Sequence, residues 1–499
     1  MYRKNLFIFF IFLLGFILNV ISVQIVSSSF KELQGALGAS IEQISYVMSA
    51  SLIAEVIIIP FSGWLAKLLS TRVLFLISIS GFVSASLGCA LSTNYFSMVL
   101  FRGFQGFFGG AMLPIMTASI YTLFDKKKIP FILSIAATFG VSSIALGPIL
   151  GGFLTQYLDW RWMFLYNIPI GIILFTSAFF FIDINDKQDG LFKKIDYQGI
   201  IYLAVGLISL LLFIEEGEKR DWFKSDFIFI SFSIFLLSFS LFFYREYNTK
   251  NPVINLSVFR DRNFCIGSIN VIVFAITLYV PIFLLPIFLG EIKIMDPLEI
   301  GYVISVMGIS WMLSGPFVGK LLQVIGARIV VIIGSIFIGI GTYLQTAITV
   351  DYTFNELLYS QILKGIGAQF LWIGNQYLSL SAFAVNAIYN AAAIFNLVLR
   401  LAAAVSIAFA SSLLTKWKAQ FSSVIFENGM NSRVDLSLRY FNDMNIENFQ
   451  ENKLLFFLFS ERESLIMALN KISFISSWTA LLPIVLMFYI KTNKKNILY

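Results

Sequence analysis

Three charged side chains stand inside long apolar runs of this sequence, where a charge needs a reason: Glu55, Arg102 and Arg400. An ionised group in a membrane costs at least about 2.5–3.5 kcal/mol on insertion scales, so function is the default reading for Arg102, while for Arg400 a structural network comes before a ligand. Glu55 is the one carboxylate well inside an apolar run of the first half, roughly 15 Å from the start of its segment at about 1.5 Å per residue. Arg102 lies at a similar estimated depth in the fourth run, with Gln105 on the next turn. A carboxylate caught between burial, which penalises its charge, and a guanidinium, which favours it, can take up and release a proton. The expectation is a proton-coupling pair of Glu55 and Arg102, against the plainer reading of a charge pair that fixes helix packing. The chain has no histidine, so any relay must use carboxylates. Arg400 follows Asn396 by one turn, with no acid of the second half clearly embedded near it. Its expected partners are backbone carbonyls, water or an anionic ligand.

A second constellation is made of small residues. Gly140, Gly147 and Gly151 are spaced to stack on one face of a helix, followed by Gly152, and Pro148 withdraws a backbone donor beside them. Small-xxx-small spacing lets helices approach closely in lipid, and a proline there needs help from a neighbour or a cavity. The expectation is a moving contact; the plainer reading is an ordinary tightly packed helix. Gly63, Lys67 and Arg72 lie where the second run meets the third, suited to a gating loop or to simple anchoring at the membrane surface.

The elements that must position these residues are membrane helices. With 499 residues, 58% hydrophobic and 13% charged, and a mean hydropathy of +0.84, the chain is unlike a soluble protein, whose charged fraction is about 25%. Runs of about twenty apolar residues number about fourteen, which predicts an all-α polytopic membrane protein. The run from Leu6 to Val26 is too long for a signal-peptide core and is read as the first span. Basic residues gather in alternate loops, from Arg3 and Lys4 to the cluster at 491–495, which places both termini in the cytoplasm. The charge of +7 is scattered through these loops, against nucleic acid as a partner. Cys89 and Cys265 offer no disulfide framework. No metal cluster, cofactor motif or nucleophile with its base appears, so no enzyme and no cofactor are expected.

An internal repeat organises the whole. Pro60-Phe61-Ser62-Gly63 leading to Arg72 returns as Pro316-Phe317-Val318-Gly319 leading to Arg328 at one constant offset, and Arg102-Gly103 is echoed by Lys364-Gly365. Duplicated halves are a transporter's plan. The expected division is a six-helix half over 1–183, an inserted helix pair with its links over 184–250, and a second six-helix half over 251–499. The linker 251–262 is expected to have little structure. The long outward segment, about 416–470, is expected to hold surface helices, with Leu454 to Phe459 too short to span.

On these residues the chain resembles the major facilitator superfamily, and within it the fourteen-span drug/proton antiporters that include inner-membrane subunits of multidrug exporters. Gly63 to Arg72 is similar to the superfamily's loop signature, Arg102 to Gly106 to its fourth-span signature, and Gly140 to Gly152 to the antiporter signature. Asp159-Trp160-Arg161-Trp162 with Asn167-Ile168-Pro169, and Pro252 to Phe264, are further fourteen-span features. The resemblance implies efflux of bulky amphipathic compounds by proton antiport and alternating access, in the inner membrane. Small-molecule substrates, protons and lipid are the implied partners, with a periplasmic adaptor protein as a candidate docked on the outward segment. The family's first span usually carries a coupling aspartate; here the stretch holds Asn19 and Gln24, and Asn19 cannot titrate. Asn19, Gln24, Gln105, Asn396 and Arg400 are the polar residues expected at the substrate cavity. A dedicated exporter of an anionic metabolite such as a siderophore is the alternative, favoured by Arg102 and Arg400. A non-transporting receptor or assembly subunit is the alternative of another class.

Overall fold

The computed structural model describes residues 2–39, 41–125, 127–184, 196–217, 220–249, 254–381, 383, 385–431 and 449–490, and every regular element among them is helical. The first bundle comprises α1 (Tyr2–Gln24), α2 (Ile41–Leu69), α3 (Thr71–Ala90), α4 (Tyr95–Leu123), α5 (Ile129–Tyr157) and α6 (Asn167–Phe181). An inserted pair follows, α7 (Tyr197–Gly217) and α8 (Asp226–Asn248). In the second bundle α9 (Arg262–Ile287) precedes a helical stretch, Pro297–Tyr343, that is two helices joined at Gly326, α10 before it and α11 after it. Next come α12 (Phe354–Leu380), α13 (Val385–Asn431) and α14 (Phe449–Thr479).

Eleven described stretches are long and apolar enough to cross a membrane, with α10 and α11 counted as one. The division at Gly326, together with the 29-residue α5 and the 27-residue α12, completes the fourteen spans expected. The α12 helix is polar because it faces protein: Gln361, Lys364, Gln369, Asn375 and Gln376 are all buried in the bundle. With about fourteen spans, the first described turn of α1 and the last described residues after α14 fall at one face.

The sequence repeat is a repeat of backbone and side-chain geometry. Ser70, between α2 and α3, has φ 78° and ψ 155°; Gly326, at the matching place between α10 and α11, has φ 79° and ψ 163°. This is a conformation that glycine adopts freely and serine only at a cost. After each turn a basic residue grips the end of its own half's last span. The Arg72 guanidinium donates to the Phe179 carbonyl in the last turn of α6 and lies 5.1 Å from the Phe179 ring, while Arg328 lies 5.2 Å from the Phe488 ring just past α14. A cation at a helix C-terminus meets the negative end of its dipole.

The inserted pair packs on itself through phenylalanines, with the Phe213 ring of α7 and the Phe232 ring of α8 4.9 Å apart between centroids. The outer face of α8 leaves Phe229, Leu237 and Phe243 to the surroundings, as a lipid-facing helix must. The Tyr46 hydroxyl of α2 donates to Glu216 of α7, tying the pair to the first bundle.

Two expectations are corrected. The linker is not structureless: a 3-10 turn, Leu256–Arg260, follows Asn255, whose side chain caps it through the Ser257 N–H at 3.0 Å. Asn390 of α13 brackets Asn255, accepting its N–H at 3.1 Å and donating to its carbonyl at 2.9 Å. Nor do the described residues of the outward segment form separate surface helices. Instead α13 and α14 run on as a paired arm, held by Lys418–Glu461 at 2.9 Å and by the Lys471 ammonium 4.3 Å from the Trp417 ring. With 47 residues α13 is roughly 70 Å long, more than twice a hydrocarbon core of about 30 Å. Leu454 to Phe459 belongs to α14, on the arm. Residues 432–448, Pro252 and the basic cluster at 491–495 lie outside the described residues.

Candidate functional site

The site begins with the glycines of α4. A Cβ on Gly106 would sit 2.0 Å from the Ser51 carbonyl oxygen, and one on Gly110 2.8 Å from the Glu55 carbonyl oxygen, so α2 and α4 touch backbone to backbone along this face. That approach puts the Arg102 guanidinium against α2. Its Nε donates to the Val47 carbonyl at 3.1 Å, Nη1 to the Ser22 carbonyl at 3.0 Å and to Gln105 Oε1 at 2.6 Å, and Nη2 to Ser51 Oγ at 3.1 Å. Gln105 passes the network to Ser86 at 2.7 Å, and Asn167 donates to both Ser86 and Ser22. Arg102 thus knits α1, α2, α3, α4 and α6 together with neutral acceptors.

The expected pairing of Glu55 with Arg102 is therefore wrong. Val47 and Ser51, two turns and one turn before Glu55 on α2, take up the guanidinium first. Glu55 pairs instead with Arg400, across the two halves: Arg400 Nη2 donates to Glu55 Oε1 at 2.7 Å, and Asn19 Nδ2 reaches the same oxygen at 3.4 Å. Helix direction explains the meeting. α2 and α13 run antiparallel, and each Cα–Cβ bond tilts toward its own helix N-terminus, so the two side chains lean toward each other. Their surroundings differ: the Glu55 side chain is 1% exposed and that of Arg400 is 18%.

Arg400 is the less buried because it lines a central cavity of about 100 Å³ between the halves. Phe16, Val20 and Gln24 of α1, Met116 and Thr117 of α4 and Gly140 of α5 face Phe274 and Tyr279 of α9, Trp311 of α10, Trp372 and Gln376 of α12 and Leu399 of α13. Of the residues expected there, the cavity takes Gln24 and Arg400. Asn19 supports Glu55, Gln105 serves Arg102, and Asn396 donates to the Ala392 carbonyl of its own helix at 2.8 Å. A cavity lined by a few aromatic residues is expected from the sequence, which does not say which ones; they are Phe16, Phe274, Tyr279, Trp311 and Trp372. One signal was available, since Trp311 holds the place before Pro316 that Glu55 holds before Pro60.

Below the cavity, toward the termini, the halves close on one another. Gly63 of α2 packs against α13, where a Cβ would come 2.9 Å from the Tyr389 carbonyl oxygen. Its repeat partner Gly319 of α10 packs against α5, where a Cβ would come 2.8 Å from Ser134 Oγ and 3.3 Å from the Phe131 Cα. Gln369 Nε2 donates to Thr138 Oγ1 at 3.3 Å, Gln323 Nε2 to the Lys127 carbonyl at 3.1 Å, and the Tyr121 hydroxyl to the Gln376 carbonyl at 3.4 Å. Lys67 is partly exposed in the last turn of α2, beside this seam.

The fifth-span glycines do something else. Gly140 faces Phe16 and Gly147 faces Gln24, a Cβ there coming within 2.8 and 2.5 Å, so both clasp α1 inside one half. The Gly151 carbonyl accepts from Ser29 at 3.4 Å, Gly152 meets nothing within 4 Å, and the Pro148 side chain lies outside the described ones. Between the halves, α5 meets α10 through Ser134 and Thr138 against Gly315 and Gly319, and again at Ile149, 3.5 Å from a Cβ on Gly301.

The Major Facilitator Superfamily profile matches residues 12–257. A relative described as colistin resistance protein EmrB, from Acinetobacter baumannii, is 34% identical over 412 residues, 82% of this chain and 80% of its own length. The chain belongs to the major facilitator superfamily. Within the superfamily it is also similar to the probable multidrug resistance protein EmrY of Escherichia coli K12, 27% identical over 73% of this chain and 71% of that one. Its fold is that of the human organic anion transporter MFSD10, with a TM-score of 0.61 at 12% identity, covering 97% of this chain and 99% of that one. Superfamily members are transporters, and the many apolar helices make this one a multi-pass membrane protein.

Proposed function

We propose that this chain is a secondary active exporter that moves bulky amphipathic compounds outward in exchange for protons, by rocking of its two halves. The observation that carries the reading is the Glu55–Arg400 pair, which bridges the halves where Arg400 meets the cavity. Protonation of Glu55 removes the ion pair and so biases the halves toward the other access state, as any titrating group shifts an equilibrium between states that bind its proton differently. The cavity suits the cargo: Phe16, Phe274, Trp311 and Trp372 offer apolar faces, with Gln24, Gln376 and Arg400 to orient a polar end. The names of the Acinetobacter baumannii and Escherichia coli relatives, which refer to colistin and multidrug resistance, support it. The anionic-metabolite reading rested on Arg102 and Arg400 as cavity cations; Arg102 is taken up by neutral acceptors away from the cavity and Arg400 by Glu55, which removes that support.

In this proposal the halves are 1–183 and 251–499, with 184–250 as an added pair, and the termini face the cytoplasm. The closed seam then belongs to a state shut on the cytoplasmic side. The test is substrate flux in proteoliposomes under an imposed pH gradient. Glu55→Gln should still bind substrate and exchange it downhill, with gradient-driven accumulation lost. Accumulation at the parental level would sink the proposal.

The arm of α13 and α14 is the proposed seat of a periplasmic adaptor, because these helices, 47 and 31 residues long, run on together past the length a span needs. Replacing residues 423–457 with a short linker should leave membrane insertion and proteoliposome flux intact and cut export from whole cells. Unchanged whole-cell export would exclude a docking role.

A further inference from the structure

Arg102 and Lys364 hold matching places in the two halves, each in its half's fourth span, yet their surroundings are opposite. Arg102 donates to four acceptors, two of them main-chain carbonyls. Lys364 is 2% exposed, and its ammonium donates to one acceptor, Gln345 Oε1 at 2.9 Å, with no carboxylate partner among the described residues. Two further donors stand on the same two elements. Gln345 Nε2 sits on the same amide as that acceptor and is buried without a partner. Gln361 Nε2, three residues before Lys364 on the same face of α12, is likewise buried and unpartnered. Gln345 and Gln361 are 2% and 1% exposed, so solvent does not satisfy them. A buried cation without a counterion and buried N–H groups without acceptors are each costly, and one species relieves all three: an anion.

We propose that Lys364, Gln345 and Gln361 form a binding site for a small inorganic monoanion, of which chloride is the representative. The site lies between α12 and the 3-10 turn Leu344–Ala347 that continues α11, within the second half and apart from the central cavity and the Glu55–Arg400 pair. Lys364 is ten residues into α12, roughly 15 Å from its outer end. The bound anion accepts from the ammonium and both amides and so ties the two helices together. In the first half the Val47 and Ser22 carbonyls serve the same end for Arg102, which explains why one half carries its own acceptors and the other borrows one.

The experiment is thermal unfolding of the purified full-length protein in detergent, with chloride titrated against gluconate at constant ionic strength. The unfolding midpoint should rise saturably with chloride or bromide and not with gluconate. Lys364→Met should abolish the response, and Gln361→Leu should require at least about tenfold more chloride for the same shift, since it removes one hydrogen bond to a charged group. If Lys364→Met fails to fold, the Gln361→Leu titration and the anomalous peak of bromide in soaked crystals decide: a peak between Nζ and the two amides supports the site, and a peak only elsewhere overturns it. Equal midpoints in chloride and gluconate, or a full chloride response in Gln361→Leu or Lys364→Met, also overturn it.

Discussion

Arg400→Leu should cost the protein more than replacing both members of the Glu55–Arg400 pair. Without Arg400, Glu55 at 1% exposure keeps only the 3.4 Å contact from Asn19, and its second carboxylate oxygen is buried with no partner. Breaking a buried ion pair from one side typically costs about 3–5 kcal/mol, whereas exchanging both partners for neutral side chains of similar volume is often close to neutral. The expected order of thermal stability in detergent is therefore parent and Glu55→Gln/Arg400→Leu together, with Arg400→Leu well below. Glu55→Gln alone should fall between them, because Arg400 borders the cavity, where water can reach it. All three variants should fail to accumulate substrate against its gradient, so stability and coupling separate in the double variant. A stable Arg400→Leu would show that the pair is not formed in the membrane.

The second large effect is expected at the seam. Gly63→Leu places a side chain against the Tyr389 carbonyl, which belongs to a helix backbone and cannot swing aside, and Gly319→Leu does the same against Ser134 and Phe131 of α5. Overpacking of this kind costs roughly 1–3 kcal/mol. Here it falls only on the state in which the seam is shut, which shifts the balance of states by about 5- to 150-fold. Both variants should insert normally and lose most of their transport. A cysteine introduced at Thr117 of the cavity, with Cys89 and Cys265 replaced, should become more reactive from the terminal face. Gly152→Leu is the control, since nothing lies within 4 Å of the Cβ it adds, and it should transport near the parental rate. Parental labelling in Gly63→Leu and Gly319→Leu would mean that these contacts do not gate access.

Much of this was legible in the sequence because membrane helices are written locally. Fourteen apolar runs, an inserted pair and a constant repeat offset needed only hydropathy and pattern, and the offset carried through to matching backbone angles at Ser70 and Gly326. Glu55, Arg102 and Arg400 stood out for the same reason, as charges that lipid does not tolerate without cause. Their partners were not legible. Depth along a span says nothing about rotation around it, and rotation decided that Arg102 meets carbonyls while Glu55 meets the opposite half. Glycine spacing likewise marked a face of α5 without saying which neighbour it touches, and the neighbour is α1. Aromatic residues are too common here, at 16% of the chain, for composition to pick out Trp311 or Trp372 as cavity lining.

The length of α13 has a mechanical consequence. One uninterrupted helix carries Tyr389 at the seam, Arg400 at the ion pair and Lys418 on the outer arm, so a displacement at any of these places is felt at the others. Lys418 stands roughly 27 Å along the shaft from Arg400, far enough that a small tilt at the charge becomes a stroke of several ångströms outside. Such a shaft works in both directions. In the proposed exchange, a partner that clasps the arm would load the charge pair, and by reciprocity a proton taken up at Glu55 would change how firmly the arm is held.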